Sequence, residues 1–82
     1  MAEQRTRNED IHAILAANVK KYRKQAELSQ ERLSELCGFH RSYVGRLERE
    51  PGNPELSTIK ALADQLQVTV AELLSSTQRR NR

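Results

Sequence analysis

The stretch QERLSELCGFHRSYVGRLER, residues 30–49, decides the fold. Leu33, Leu36 and Cys37 lie three and four residues apart, Gly38 interrupts, and Val44 and Leu47 resume the same spacing beyond the break. Apolar residues at that interval line one face of an α-helix. A glycine just after them supplies the left-handed backbone that ends helices and makes sharp turns. The stretch therefore reads as two short helices, Gln30 to Cys37 and Arg41 to Arg49, joined by a tight turn. Ser29 precedes the first as an N-cap. Pro51, in the sequence PGNP, stops the second.

Working outward, Asn8 followed by Glu9 and Asp10 marks a helix start, with acids at the positive end of the helix. Ile11, Leu15, Val19 and Tyr22 then fall on one stripe, so a first helix is predicted over Glu9 to Ala26. Lys20, Lys21 and Lys24 fall off that stripe, and Arg23 sits at its edge, where a long cation can reach inward to a carboxylate. Beyond PGNP, Ser57 or Thr58 opens a fourth helix with Ile59, Leu62, Ala63 and Leu66 on one face and Lys60 and Asp64 outside. Thr69-Val-Ala-Glu72 matches a capping box and starts a fifth, Val70 to Ser75. Its Val70, Leu73 and Leu74 offer more apolar surface than so short a helix can bury alone, which makes them the candidate dimer interface. The expected fold class is all-α, a compact five-helix bundle in a single domain, 1–82. Within it, 1–8 form a loose arm carrying Arg5 and Arg7, 9–75 the globular core and 76–82 a basic tail.

With 82 residues the chain can build one modest core and has little room for an enzyme cleft. Its net charge of +3 is small but unevenly spread. Between Lys20 and Arg49 eight basic residues face four acidic ones, whereas between Ser57 and Ser75 one faces two. Such polarity suits a phosphate-facing side. Cys37 is the single cysteine, so no internal disulfide can form. Its C-x-x-H spacing with His40 lacks further ligands, His12 being remote in sequence, so no metal is expected. Glu31 and Glu35, flanked by Arg32, read as a solvated face and not as a catalytic pair. Without a nucleophile and base pairing or a glycine-rich loop, neither enzyme activity nor a cofactor is expected. No apolar run approaches membrane-spanning length and the N-terminus is too polar for a secretory signal, so a cytoplasmic location is the default.

On the third helix, Arg41, Ser42, Gly45, Arg46 and Arg49 cluster within about 140° of the wheel, opposite Val44 and Leu47, with Tyr43 and Glu48 at the borders. One face is anchored; the other is bare and basic. A helix of this kind after a tight turn is a helix-turn-helix, whose second helix enters a DNA major groove. Arginine suits that place because its fork binds guanine O6 and N7 bidentately or clasps a phosphate, and Arg41 in the first turn is the best base reader. Gly45 costs about 1 kcal/mol relative to alanine in mid-helix. Either it lets the backbone approach DNA closely or it is simply tolerated. Tyr43 either packs on the core or stacks near a base step. Gln30, at a helix start with free amides, is placed to fix a phosphate, and Arg49 to do the same at the other end.

The arrangement Val19-x-x-x-Arg23, Leu28-Ser29-Gln30-Glu31-x-Leu33, Gly38, Val44-x-x-Leu47-Glu48-Arg49, then Leu56-x-x-Ile59-x-x-Leu62-Ala63 resembles the Cro/C1-type helix-turn-helix family, which includes phage repressors. It spans residues 14–74 and implies a lambda-repressor-like DNA-binding domain. Within the family, His40-Arg41-Ser42-Tyr43-Val44-Gly45-x-Leu47-Glu48-Arg49 is similar to controller proteins of restriction-modification systems. The resemblance implies phosphate anchoring by Gln30, groove contacts by Arg41, Ser42 and Arg46, and a partly buried ion pair between Arg23 and Glu48. The wider DNA-binding set adds His40, Tyr43 and Arg49. Three positions depart from the pattern. Ser34 replaces the usual alanine, His40 stands where a hydroxyl or acid usually caps the third helix, and Glu50-Pro51 replaces a glycine, putting that loop's own DNA contacts in doubt.

The expected function is a sequence-specific transcription regulator that binds a pseudo-palindromic operator in double-stranded DNA as a homodimer, because one recognition helix reads only a few base pairs. No small-molecule effector is expected. The alternative is a protein-interaction module of the same fold, an antitoxin or bridging factor. Such a module would expose apolar surface without a bare basic helix.

Overall fold

The computed structural model describes residues 10–76. The arm with Arg5 and Arg7, the start proposed at Asn8 and the tail 77–82 lie outside the described residues. The described residues form five helices in succession: α1 (Ile11–Gln25), α2 (Gln30–Leu36), α3 (Tyr43–Arg49), α4 (Leu56–Leu66) and α5 (Val70–Leu73). There is no strand among the described residues, and no helix among them is long and apolar enough to cross a membrane.

Local chemistry sets the boundaries. Asp10 caps α1: its Oδ1 accepts from the backbone N–H of His12 at 3.0 Å and of Ala13 at 3.3 Å. Ile11, expected on the inward stripe, is consequently in the first, open turn and is exposed. Ser29 Oγ accepts from Arg32 N–H at 2.9 Å, the cap expected for α2. At Gly38, φ is +79°, and Phe39 N–H donates to Ser34 O at 2.9 Å while Gly38 N–H donates to Glu35 O at 3.0 Å. That double bond pattern closes α2 and aims the chain into α3. The fourth helix begins at Leu56, before Ser57 and Thr58, with Glu55 at the cap position making no side-chain cap bond. The capping box of Thr69 and Glu72 opens α5 as expected.

The core joins Leu15 and Val19 of α1, Leu33 of α2, Val44 and Leu47 of α3, Ile59, Leu62, Ala63 and Leu66 of α4, and Leu73 of α5. Helix α1 packs on α3, α4 and α5, so it is the beam against which the helix-turn-helix and the last two helices are both held. Leu73 is fully buried in this core, which removes it from the candidate dimer interface. A hydrophobic position on a short helix looks the same in sequence whether its partner is its own chain or another. Val70 and Leu74 are half-buried against the same core. The loop after α3 is held near the start of α1, where His12 Nε2 and Asn53 Oδ1 lie 3.3 Å apart.

One buried polar side chain ties α1 to the end of α5. Asn18, in the middle of α1, is 3 % exposed, and its Nδ2 donates to Ser75 O at 2.8 Å, Leu73 O at 2.9 Å and Glu72 O at 3.3 Å. These are carbonyls at and just beyond the C-terminal end of α5, where the helix's own hydrogen-bond ladder runs out. The sequence signal for Asn18 is a polar residue at an inward position of the stripe, next to Val19.

Candidate nucleic-acid interface

Helix α3 is shorter than its apolar spacing suggests. It begins at Tyr43, with Ser42 as N-cap, so Arg41 stands in the turn before the helix and not in its first turn. Arg41, Ser42, Arg46 and Arg49 are exposed, and together with Gln30, Glu31 and Gly45 they border one open groove. Basic side chains from the turn and from α3 thus meet the start of α2 across a single surface.

The seat of α3 comes from a residue that sequence reading treated only as a departure from pattern. Ser34 is fully buried on α2; its Oγ donates to Gln30 O at 2.9 Å and accepts from Val44 N–H at 3.0 Å. Ser42 makes no cap bond from its own side chain, so Ser34 supplies from the neighbouring helix the acceptor that α3 lacks. Ser34→Ala strands the Val44 N–H in the core. The expected loss is about 1 to 3 kcal/mol in urea unfolding, and a change within about 0.5 kcal/mol would show that the bond carries no weight.

A second network runs from the core to the groove. Arg23 Nε donates to Glu48 Oε2 at 2.7 Å and Nη2 to Oε1 at 3.1 Å, while Nη1 donates to Leu28 O at 2.8 Å. The side chains of Arg23 and Glu48 are 9 % and 5 % exposed. Gln30 Nε2 donates to Glu48 Oε1 at 2.9 Å, so the side chain at the head of α2 is tethered through Glu48 to α1. Gly45 has a role here that differs from the one its wheel position suggests. It is buried, and a Cβ built on it would lie 3.0 Å from Gln30 Oε1. The close approach at Gly45 is to the end of the Gln30 side chain, which would have to shift by a few tenths of an ångström to admit a Cβ.

Tyr43 packs against the core, edge-to-face with Phe39 at 5.0 Å between ring centres. Burial pushes its phenol up and the nearby Arg46 guanidinium, 5.8 Å from the ring centre, pulls the other way. Arg49 Nη1 reaches back to Gly45 O at 3.4 Å. Cys37 closes α2, its Sγ 3.7 Å from Ala61 O, and burial pushes its thiol up to about 11. The thiol is therefore neutral at physiological pH.

Known proteins share this sequence pattern and fold. The sequence profile of the Helix-turn-helix family matches residues 19–73. The control protein C.SmaI of Serratia marcescens is 48 % identical over 66 residues, covering 80 % of this chain and 79 % of that protein. The crystal structure of the hypothetical transcription factor NHTF from Neisseria superimposes with a TM-score of 0.83 at 39 % identity, covering 88 % of this chain and 83 % of that one. The restriction-modification controller protein C.AhdI from Aeromonas hydrophila gives a TM-score of 0.70 at 37 % identity, covering 76 % and 94 %. Placed by its sequence, its five helices and these relatives alike, the chain belongs to the helix-turn-helix family of Cro/C1 type.

Proposed function

We propose that the chain, a DNA-binding transcription regulator of this family, works as a homodimer that lays α3 of each copy in successive major grooves of a pseudo-palindromic operator, as a controller of the restriction-modification type. The observation that carries this reading is the groove bordered by Arg41, Ser42, Arg46 and Arg49 with the tethered Gln30 at its edge. Cationic forks in the turn and along one helix face, with a polar anchor one helix away, match the division between base reading and phosphate positioning. Its place of work is the cytoplasm, with the DNA it regulates. The dimer seam draws on the half-buried Val70 and Leu74 and on Leu56, which at 69 % exposure is the more exposed of the two large apolar residues left open among the described residues.

Selection of bound duplexes from a random library tests the reading. Two symmetry-related half-sites about one helical turn apart, near 34 Å, are expected. A single asymmetric short site bound by a monomer would overturn the dimer. Binding to random duplex should weaken with salt along a log-log slope near −0.9 per phosphate contacted, whereas a protein-interaction module should give almost no slope. Arg41→Ala is expected to cost about 1 to 3 kcal/mol and to relax preference at one base position, and Gln30→Ala to weaken all sequences alike. Equal losses on specific and random DNA from both variants would remove the reading role of Arg41.

A further inference from the structure

Ser42 stands at the N-cap of α3 with φ −89° and ψ −1°, and its hydroxyl does not cap the helix. Of the amides it would have served, that of Val44 is taken by Ser34 Oγ at 3.0 Å, and the Tyr43 N–H that opens the helix donates to His40 O at 2.9 Å. The Ser42 hydroxyl is held instead by His40, whose Nδ1 lies 2.8 Å from Oγ. The direction of that bond follows from a third contact. Ser42 backbone N–H donates to the same Nδ1 at 3.2 Å. A ring nitrogen that accepts from an amide must present its lone pair, so the neutral imidazole carries its proton on Nε2 and the Ser42 O–H is the donor to Nδ1. A hydroxyl has one hydrogen, and here it is committed; what remains is acceptor capacity.

Ser42 borders the same groove as Arg41 and Arg46. In the major groove adenine N6 and cytosine N4 are the donors, whereas guanine and thymine present acceptors. We propose that His40 is a positioning residue that makes Ser42 an acceptor-only reader, so that the base it meets on the contacted strand carries an exocyclic amino group, adenine or cytosine, and guanine and thymine are rejected. An untethered serine serves either kind of base edge and would discriminate little. The inference rests on α3 being the element in the groove, and it adds to that reading a rule for one operator position.

The test is selection from a random duplex library with the wild type, Ser42→Ala, His40→Phe and His40→Asn. The position whose preference flattens in Ser42→Ala is the one Ser42 meets. There the wild type should favour adenine and cytosine over guanine and thymine by about tenfold. His40→Phe keeps a ring but removes the acceptor, so the preference at that position should fall toward parity while the rest of the half-site is unchanged. His40→Asn offers Oδ1 in place of Nδ1 and should retain it. Thermal melting of each variant identifies any loss that comes from unfolding, and His40→Asn with Ser42→Ala then carries the comparison. A Ser42-dependent position that favours guanine or thymine, or an amino preference that survives in folded His40→Phe, overturns the proposal. So does a defined half-site with no position that depends on Ser42, which leaves the groove reading of α3 standing. Selection of no sequence at all by the wild type overturns both.

Discussion

Arg23→Ala is expected to lower the unfolding free energy by about 3 to 5 kcal/mol, because it leaves a carboxylate in the interior without its cation. Glu48, with 5 % of its side chain exposed, would keep Gln30 Nε2 at 2.9 Å and lose both guanidinium bonds, and Leu28 O would lose its donor as well. In a domain of this size such a loss lowers the melting temperature by about 12 °C or more, a large part of the 5 to 15 kcal/mol that holds a typical domain together. The pair need not be a net source of stability, since two charges must be desolvated to form it. Replacing both partners, Arg23→Met with Glu48→Leu, should recover much of what the single variant loses. The double variant also frees Gln30, so its DNA affinity should fall on specific and random sequences alike even where stability returns. Unchanged melting of Arg23→Ala would refute the argument, and a double variant as weak as the single one would refute the desolvation part of it.

Features that announce themselves locally were legible in the sequence. Gly38 between two apolar spacings, Ser29 ahead of Gln30 and Thr69 three residues ahead of Glu72 each satisfy backbone groups within a few residues, and the structure uses all three as turn or caps. Arg23 and Glu48 could be paired because both fall at stripe edges and the family pattern joins them. What the wheel cannot supply is the identity of the neighbour. Gly45 lies on the basic face, yet the group pressed against it is Gln30. Leu73 is apolar and on a short helix, yet its partners are in its own core. Arg41 has helical spacing with Arg46 and Arg49, but Ser34 and His40 organise the turn so that α3 opens two residues later. Ser34 was the least legible, because a polar residue that bridges elements in the interior looks in sequence like one that faces water; Asn18 is marked only by its inward position on the α1 stripe.

Asn18→Asp is the second large effect, expected at about 3 to 5 kcal/mol near pH 7, and its pH dependence is the sharper test. The two side chains have nearly the same shape, so packing is preserved. The change removes a donor that serves Ser75 O, Leu73 O and Glu72 O, and sets a carboxylate against three carbonyl oxygens at a site 3 % exposed. An uncompensated buried charge carries a cost of that size. Burial and the facing oxygens raise the pKa of the introduced carboxyl in the folded state above its unfolded value of about 3.9. Below the unfolded value the group is neutral in both states and the charge penalty is absent; it grows as pH rises above about 4 and is complete once pH exceeds the folded value. The neutral acid can also donate one O–H to a carbonyl of the α5 end. The deficit relative to wild type should therefore be small near pH 4 and largest near pH 7, as thermal unfolding at the two values will read. Asn18→Leu removes the donor without adding charge, and its deficit of about 1 to 3 kcal/mol should not vary with pH. An Asn18→Asp deficit that is equal at both pH values would mean that the carboxylate reaches water, and that α5 is not held to α1 through this side chain. Should the deficit follow pH as derived, the same variant loosens the helix that carries Val70 and Leu74, and on the proposed dimer half-site binding should then outlast cooperative binding to a paired operator.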